Sequence, residues 1–543
     1  MLTARAWAGL GLAALIAATL YHVIARPPAG PTGGRAPRVL RRAIGGEPES
    51  LDPASARSEA ALTVLRDLFE GLTSIGPDGR PVLAAADRVT ISPDGRTYTF
   101  HLRRAARWSN GAPVVAADFV AAWRRLVDPA TAAQYSGLLA PLINATAIAA
   151  GRAPPKTLGV RAPAAHRLVV QLRHPTPYFL SLVAHPATFP IDPASLAAHG
   201  PRFVKPGILV SNGAFVLRRW EFGSHLVAVR NRMYWNDAAT RIDRVDYYTT
   251  ADPAAQLRAF RAGDLDITAS IPPDDYTWVE KHLPGRLRVS PELAVYYLGF
   301  NLTRPPFARS RKLRRALSMV IDRERLVDSV TGGGERPAYS FVPPGIPGYT
   351  PPLPAYAHWT MRRRISRARA LIAAAGGDAR PLHIELRYNT GELHERIAVA
   401  VASMWRRALH VDTTLHAEDY KVLVQDIDRA RVTQVFRASW VADYEDPFSF
   451  LQVLRGGFGI NLPRYASAAY DRSLRRAQAQ TDPARRARRL ERAEAIMLHD
   501  QPVVPLFYYV AKHLVAASVR GWRDNAMDVV YDKDLAVVGT AAR

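Results

Sequence analysis

Residues 437–450 read RASWVADYEDPFSF and set Arg437, Trp440 and Asp443 at three-residue spacing, with Glu445 and Asp446 close behind. Three chemistries fit such a run. The carboxylates of Asp443, Glu445 and Asp446 could share general acid and base work. Asp446-Pro447 also has the form of a helix N-cap followed by proline in the first turn, which accounts for Asp446 without any function. A cation and a carboxylate in one short stretch could, finally, hold a solute charged at both ends.

Elsewhere catalytic signals are sparse. The chain has no Cys, which removes disulfides, thiolate catalysis, Cys-based zinc sites and lipid attachment to an N-terminal Cys. There is no G-x-S-x-G, H-E-x-x-H or Walker sequence. The 15 His are scattered, and His394 sits in "LHER" at a helix start. No catalytic residue, metal site or cofactor is expected, and the chain reads as something other than an enzyme.

The elements that must position this run alternate between strands and helices, which argues an α/β protein. "ALTVLRDLFEGL" (61–72) carries its leucines at helical spacing. "DRVTISPDGRTYTFHLR" is a hairpin turning at Ser92-Pro93-Asp94-Gly95, and "AADFVAAWRRLVDP" is a helix with Asp118 as its expected N-cap. "HRLVVQLR" and "HLVAVRN" read as strands, "DPAAQLRAFRAGDLDIT" as a helix running into a strand, and "RKLRRALSMVIDRERLVDSV" as a single helix. "PLHIELRYNT" is a strand, followed by the helix "ELHERIAVAVASMWRRALHV" and a strand near 412–415. Asp-Pro recurs at 52–53, 128–129, 252–253 and 482–483 as further helix or turn starts.

A chain of 543 residues exceeds a single core, which stops growing near roughly 250–300 residues, so two or three domains are expected. The net charge of +24 comes from 72 basic and 48 acidic residues. Its dense spots, "RRRISRAR" (362–369) and "RRARRLER" (485–492), lack interleaved aromatics and read as solvated helix faces, so no nucleic-acid partner is expected. At the N-terminus, Arg5 precedes an uncharged run from Ala6 to Ala25. Residues 1–25 therefore read as a signal peptide or an uncleaved anchor, and 26–37 as a Pro/Gly linker.

A set of strings now stands out in order along the chain: "EPESLDP", "LFEGL" with "SPDGRTYTFHLRRAARWSNGAPVVAADFVAAWRRLVDP", "NLTRPPF", "ALSMVIDRERL", "GGGERPAYSFVPPGIPGY", "WVADYEDPFSFL" and "AEAIMLHDQPVVPLFYY". Together they resemble the extracytoplasmic oligopeptide-binding proteins of ATP-binding-cassette importers, solute-binding family 5. The resemblance implies an α/β fold of the periplasmic-binding-protein-like type II class: two lobes joined by a hinge, with an extra domain inserted in the first lobe. Lobe I would combine residues 38–70, 190–293 and 505–543, the inserted domain would span 71–189, and lobe II 294–504. The implied function is capture of short peptides in the periplasm, for delivery to the importer's inner-membrane permease, by a monomer. The alternatives are another solute (a dipeptide, cell-wall peptide, metal chelate or oligosaccharide) or an anchored peptide sensor or chaperone.

The same resemblance implies roles for particular residues. Asp443 matches the ammonium-binding position, and Arg437 and His394 match positions that meet the peptide carboxylate. Ala438, Ser439 and Trp440 would offer a strand edge, as would residues near 57–59 including Arg57. Trp440, Tyr135, Tyr297 and Tyr420 would wall side-chain pockets. Structural alternatives stand beside these: Trp440, Tyr135, Tyr297 and Tyr420 as packing, Asp443 as a turn cap, and Arg437 as an ion-pair partner of Asp443 itself. Three departures from relatives, Thr331 in place of a Lys, Arg57 in place of an acid and Gly299 in place of another acid, lead to the expectation of peptides with acidic side chains.

Overall fold

The structure is a computed structural model that describes residues 37–375, 382–430, 434–457 and 460–538. The expected leader (1–25) and all but the last residue of the expected linker lie outside the described residues. Among the described residues no helix is long and apolar enough to cross a membrane.

Three larger sheets organise the chain. One has the order Val39–Ala43, Arg244–Tyr248, His225–Arg230 and Phe215–Glu221, its first pair parallel and the rest antiparallel. A second, wholly antiparallel, joins Ala86–Ile91, Thr97–Leu102, Arg167–Gln171 and Val160–Ala164. The third has the order Arg336–Pro337, Val503–Leu514, Leu287–Phe300, Val435–Val441, His383–Asn389 and Asp412–Glu418.

Strand Leu287–Phe300 explains where the cores meet. Its second half, LAVYYLGF, is buried without interruption, as expected of a strand covered on both faces. Leu293, Val295 and Tyr297 join the larger core, which includes Phe69, Trp108, Trp123 and Tyr247. Tyr296, Leu298 and Phe300 turn the other way, into a second core around Leu317, Trp405 and Phe507. Each such side chain contributes about 1.5–3 kcal/mol by leaving water. One strand thereby fixes the relative placement of two hydrophobic layers. Strand Val503–Leu514 runs beside it and is continuous through positions 504 and 505.

Local chemistry follows the sequence with instructive exceptions. The hairpin forms with Ile91 opposite Tyr98. Asp118 is not the N-cap of its helix: the helix is Ala116–Val127, and Asp118 reaches back from its first turn to accept from the Val115 N–H (2.9 Å) and Trp108 Nε1 (3.1 Å). The expected single helix over 311–330 breaks into Arg311–Met319 and Arg323–Leu326, because Asp322 caps a new start by accepting from the Arg325 N–H. After helix Pro253–Ala262 the chain forms only isolated bridges at Ile267, to Arg42 and Val515, instead of a strand.

Candidate ligand-binding site

Strand Val435–Val441 is built from β-branched, aromatic and small residues that suit a half-buried sheet. On one side it pairs antiparallel with Leu287–Phe300 along its whole length, from Phe300↔Val435 to Ala294↔Val441. On the other it meets His383–Asn389 only at Leu386↔Val435 and Arg387↔Phe436. Residues 437–441 thus have no strand on that side among the described residues, and an open edge is a template for an added strand.

Arg437 stands where this edge opens. Its guanidinium lies 4.8 Å from the Tyr296 ring centroid and donates to Asn389 Oδ1 (3.1 Å) and Tyr509 Oη (3.2 Å). Its Nε is buried without a partner, and no carboxylate pairs with it among the described residues. Burial alone would lower its pKa, but the Tyr509 and Tyr296 oxygens outweigh that and hold it above its ordinary value. His394, in the first turn of helix Glu392–Leu409, joins the group: its Nδ1 is 3.4 Å from Tyr296 Oη. Burial, then Arg437, lowers the imidazole to about 4, so His394 is neutral near pH 7. The structure therefore brings Arg437 and His394 together around Tyr296, as a permanent cation beside a neutral hydrogen-bonding ring. An anion would complete such a group.

Asp443 lies two residues beyond the strand. Its N–H donates to Ser449 Oγ (3.1 Å), but its carboxylate takes part in no hydrogen bond or ion pair among the described residues. It is neither the partner of Arg437 nor the cap of a turn. Burial, then the nearby Glu59 charge, pushes it up to about 7. Asp446, three residues on, has a different role: it accepts from the Phe448 N–H as N-cap of helix Pro447–Leu451 and takes two bonds from Arg486 (2.7 and 2.8 Å). Asp446 is thus structural, while the Asp443 carboxylate has no partner among the described residues.

The remaining sequence candidates divide. Trp440 is half-buried against the larger core, and its Nε1 is buried without a partner. Tyr135 is half-buried, its ring 4.6 Å from His185, and its hydroxyl is pushed up by burial and then by Asp443, which places it near that carboxylate. Ala438 is buried and pairs with Tyr297, and Ser439 pairs with Tyr296. Tyr297 itself is core, packed edge-on to Phe341 at 5.1 Å. Tyr420 opens helix Tyr420–Asp428 and is 59% exposed. Arg57 is exposed, and the expected edge near 57–59 is no strand: the Arg57 and Ser58 N–H groups donate to Glu49 Oε1 at the entry to helix Glu59–Leu68. Thr331 is buried and bonds to Val327 O and Glu335. Gly299 has no room for a side chain, since a Cβ would lie 2.3 Å from the Phe436 ring.

Sequence reading missed Tyr296, Tyr509 and Asn389, which hold Arg437 in place. It had chosen Tyr297 from the Tyr296-Tyr297 pair. Only the register Leu298↔Arg437 assigns Tyr296, and not Tyr297, to the Arg437 face.

Residues 80–461 match the profile of the bacterial extracellular solute-binding proteins, family 5. The periplasmic murein peptide-binding protein MppA of Escherichia coli K12 is 39% identical over 505 residues, covering 92% of this chain and 93% of its own. Its solved structure superposes with a TM-score of 0.85 at 37% identity, over 93% of this chain and 99% of that one. The periplasmic oligopeptide-binding protein OppA of the same organism is 34% identical over 542 residues, 99% of each chain. Haemophilus influenzae OppA, solved in complex with the peptide RPPGFSPFR, superposes with a TM-score of 0.83 at 34% identity, over 93% of this chain and all of that one.

Proposed function

The chain belongs to the bacterial extracellular solute-binding proteins of family 5, with their α/β, type II periplasmic-binding-protein-like fold, and we propose that it captures short peptides in the periplasm for an ATP-binding-cassette importer. One observation carries the reading: Asp443 and Arg437, opposite in charge and each without an opposite charge, stand at the two ends of an open strand edge. A short peptide in extended form is the complementary object. Its ammonium meets Asp443, its carboxylate meets Arg437 and His394, and its main chain adds to the edge at 438–440. The five edge residues 437–441 at about 3.3 Å each span about 16 Å, the reach of a peptide of a few residues.

Side chains enter only secondarily. Trp440 and Tyr135 flank the ends, and strand addition is blind to side-chain identity. A murein-derived peptide falls within the same reading. Lobe I comprises 38–70, 190–293 and 505–543, the inserted domain 71–189 and lobe II 294–504. Closure of the lobes needs a ligand that binds the closed state better than the open one, and contacts from both lobes supply that difference. The protein acts as a monomer, is exported by its N-terminal segment and presents its cargo to an inner-membrane permease. We read it as a binding protein and not an enzyme: Asp446 is committed to its helix and to Arg486, which takes it out of acid and base work.

The test is native mass spectrometry of the protein purified without refolding from a periplasmic extract. Peptides of a few residues released on denaturation are the expected result. A clean empty mass that a mixed peptide library leaves unchanged would overturn the reading.

A further inference from the structure

Glu292 belongs to strand Leu287–Phe300 at the irregularity where the register to Val503–Leu514 shifts, between Pro291 and Val295. Such bulges re-aim side chains and are common beside functional sites. On the other side of the strand Ala294 pairs with Val441, and the Ala442 N–H donates to Leu293 O at 2.8 Å. Glu292 and Asp443 each stand one residue beyond that bond, where the strands part because the Leu293 N–H turns to Ala526 O at 2.8 Å.

The surroundings of Glu292 make it unusual. Four charged groups act on it, and each already has a partner of its own. Asp528 is bonded to His513 (2.9 Å), Lys512 to Glu335 (2.5 Å), and Glu59 is paired with Arg66 at 3.6 Å. Glu292 has no hydrogen bond and no ion pair among the described residues. Burial, followed by Asp528 and Glu59, pushes its carboxyl up to about 8. The half-buried carboxyl leaves its hydrogen-bonding capacity to water or to a group from outside the chain. A donor bearing positive charge suits the ionised form best.

We propose that Glu292 forms, beside the Asp443 ammonium site, a second cation subsite that takes the side chain of a lysine- or arginine-type residue at or next to the amino terminus of the bound peptide. This rests on the peptide-capture reading and reverses the side-chain preference that Thr331, Arg57 and Gly299 suggest. Arg57 is exposed, and Gly299 gives up its space to Phe436, so neither departure creates an anion-binding pocket. Glu292 had no motif to mark it. Its position near Asp443 depends on the pairing of strands far apart in sequence.

The experiment is isothermal titration of the wild-type protein and Glu292→Gln with tripeptides that carry lysine, norleucine or glutamate at position one or two and alanine elsewhere. Lysine and norleucine have similar length and differ in charge. The expected result is a lysine-over-norleucine preference of at least about tenfold at one of the two positions. In Glu292→Gln that ratio falls to within about threefold. Equal affinities in the wild type, a preference for glutamate, or a lysine preference that survives in Glu292→Gln would each overturn the subsite while leaving peptide capture standing. Failure of every peptide to bind the wild type would overturn peptide capture itself.

Discussion

Two regions, one buried and one half-buried, hold charge and treat it in opposite ways. Behind the first sheet, Glu70 is fully satisfied: Lys533 Nζ donates to it at 2.9 Å, Tyr234 Oη at 2.5 Å and Trp235 Nε1 at 2.6 Å. These bonds tie the C-terminal tail to the helix Glu59–Leu68 region. At and beside the open strand edge, Asp443, Glu292 and Arg437 are half-buried and form no ion pair among the described residues. A buried ion is tolerable only when paired, since its desolvation costs several kcal/mol. The first region completes its pairs within the chain. On the peptide-capture reading the second leaves them for a ligand, whose binding would relieve the cost of the unpaired charges.

That contrast can be broken from either side. The largest effect belongs to the closed network. Lys533→Ala strands Glu70 in the interior, and we expect about 3–5 kcal/mol of lost stability, read as a lower urea midpoint. Peptide affinity of the folded fraction should not change, because Lys533 lies outside the site. At the strand edge, Arg437→Ala should weaken free-acid peptides by about 2–4 kcal/mol in titration calorimetry, while C-terminal amides lose far less. Equal losses for acids and amides would make Arg437 a purely structural cation.

The pH dependence sharpens the comparison further. Only ionised Asp443 pairs with an ammonium, and its carboxyl in the empty protein sits at about 7. Affinity for an uncharged-side-chain tripeptide should therefore fall about tenfold between pH 8 and pH 5.5, the peptide's own ammonium being partly deprotonated at the upper end. His394, already lowered to about 4, contributes nothing in that window. An N-acetylated peptide should show no such fall.

The smallest effect has the opposite sign. A carboxyl whose folded pKa is raised above its unfolded value loses stability as pH rises through the interval between the two, here from about 4 to about 7. Above that interval Asp443→Asn should stabilise the empty protein, by on the order of 1–3 kcal/mol, while abolishing binding. A lower urea midpoint for Asp443→Asn at pH 8 would show that the carboxylate is paired in solution after all.

Much of this was legible before any coordinates. The strings from "EPESLDP" to "AEAIMLHDQPVVPLFYY" carry the family, and Asp443, Arg437 and His394 came from motif positions. Capping chemistry was readable where it is local, as at Asp446-Pro447 and Asp482-Pro483, both of which cap helices. It failed at Asp118 and Asp322, where the choice between capping a helix and continuing one depends on packing against distant residues. The roles of Tyr296, Tyr509 and Glu292 were out of reach for one physical reason. They follow from the registers of strand 287–300 with strands more than 100 residues away, and a one-residue slip would exchange Tyr296 for Tyr297.

The central claim is that Asp443 is left unpaired for the amino group of a peptide. The most direct test pairs one mutation with one chemical change. Tri-alanine and N-acetyl-tri-alanine are titrated into the wild-type protein and into Asp443→Ala. The account predicts that the wild type prefers the free amine by at least about a hundredfold and that Asp443→Ala removes the preference, a coupling of about 2.7 kcal/mol or more. If both peptides lose affinity equally in Asp443→Ala, the carboxylate does not bind the ammonium and the claim fails.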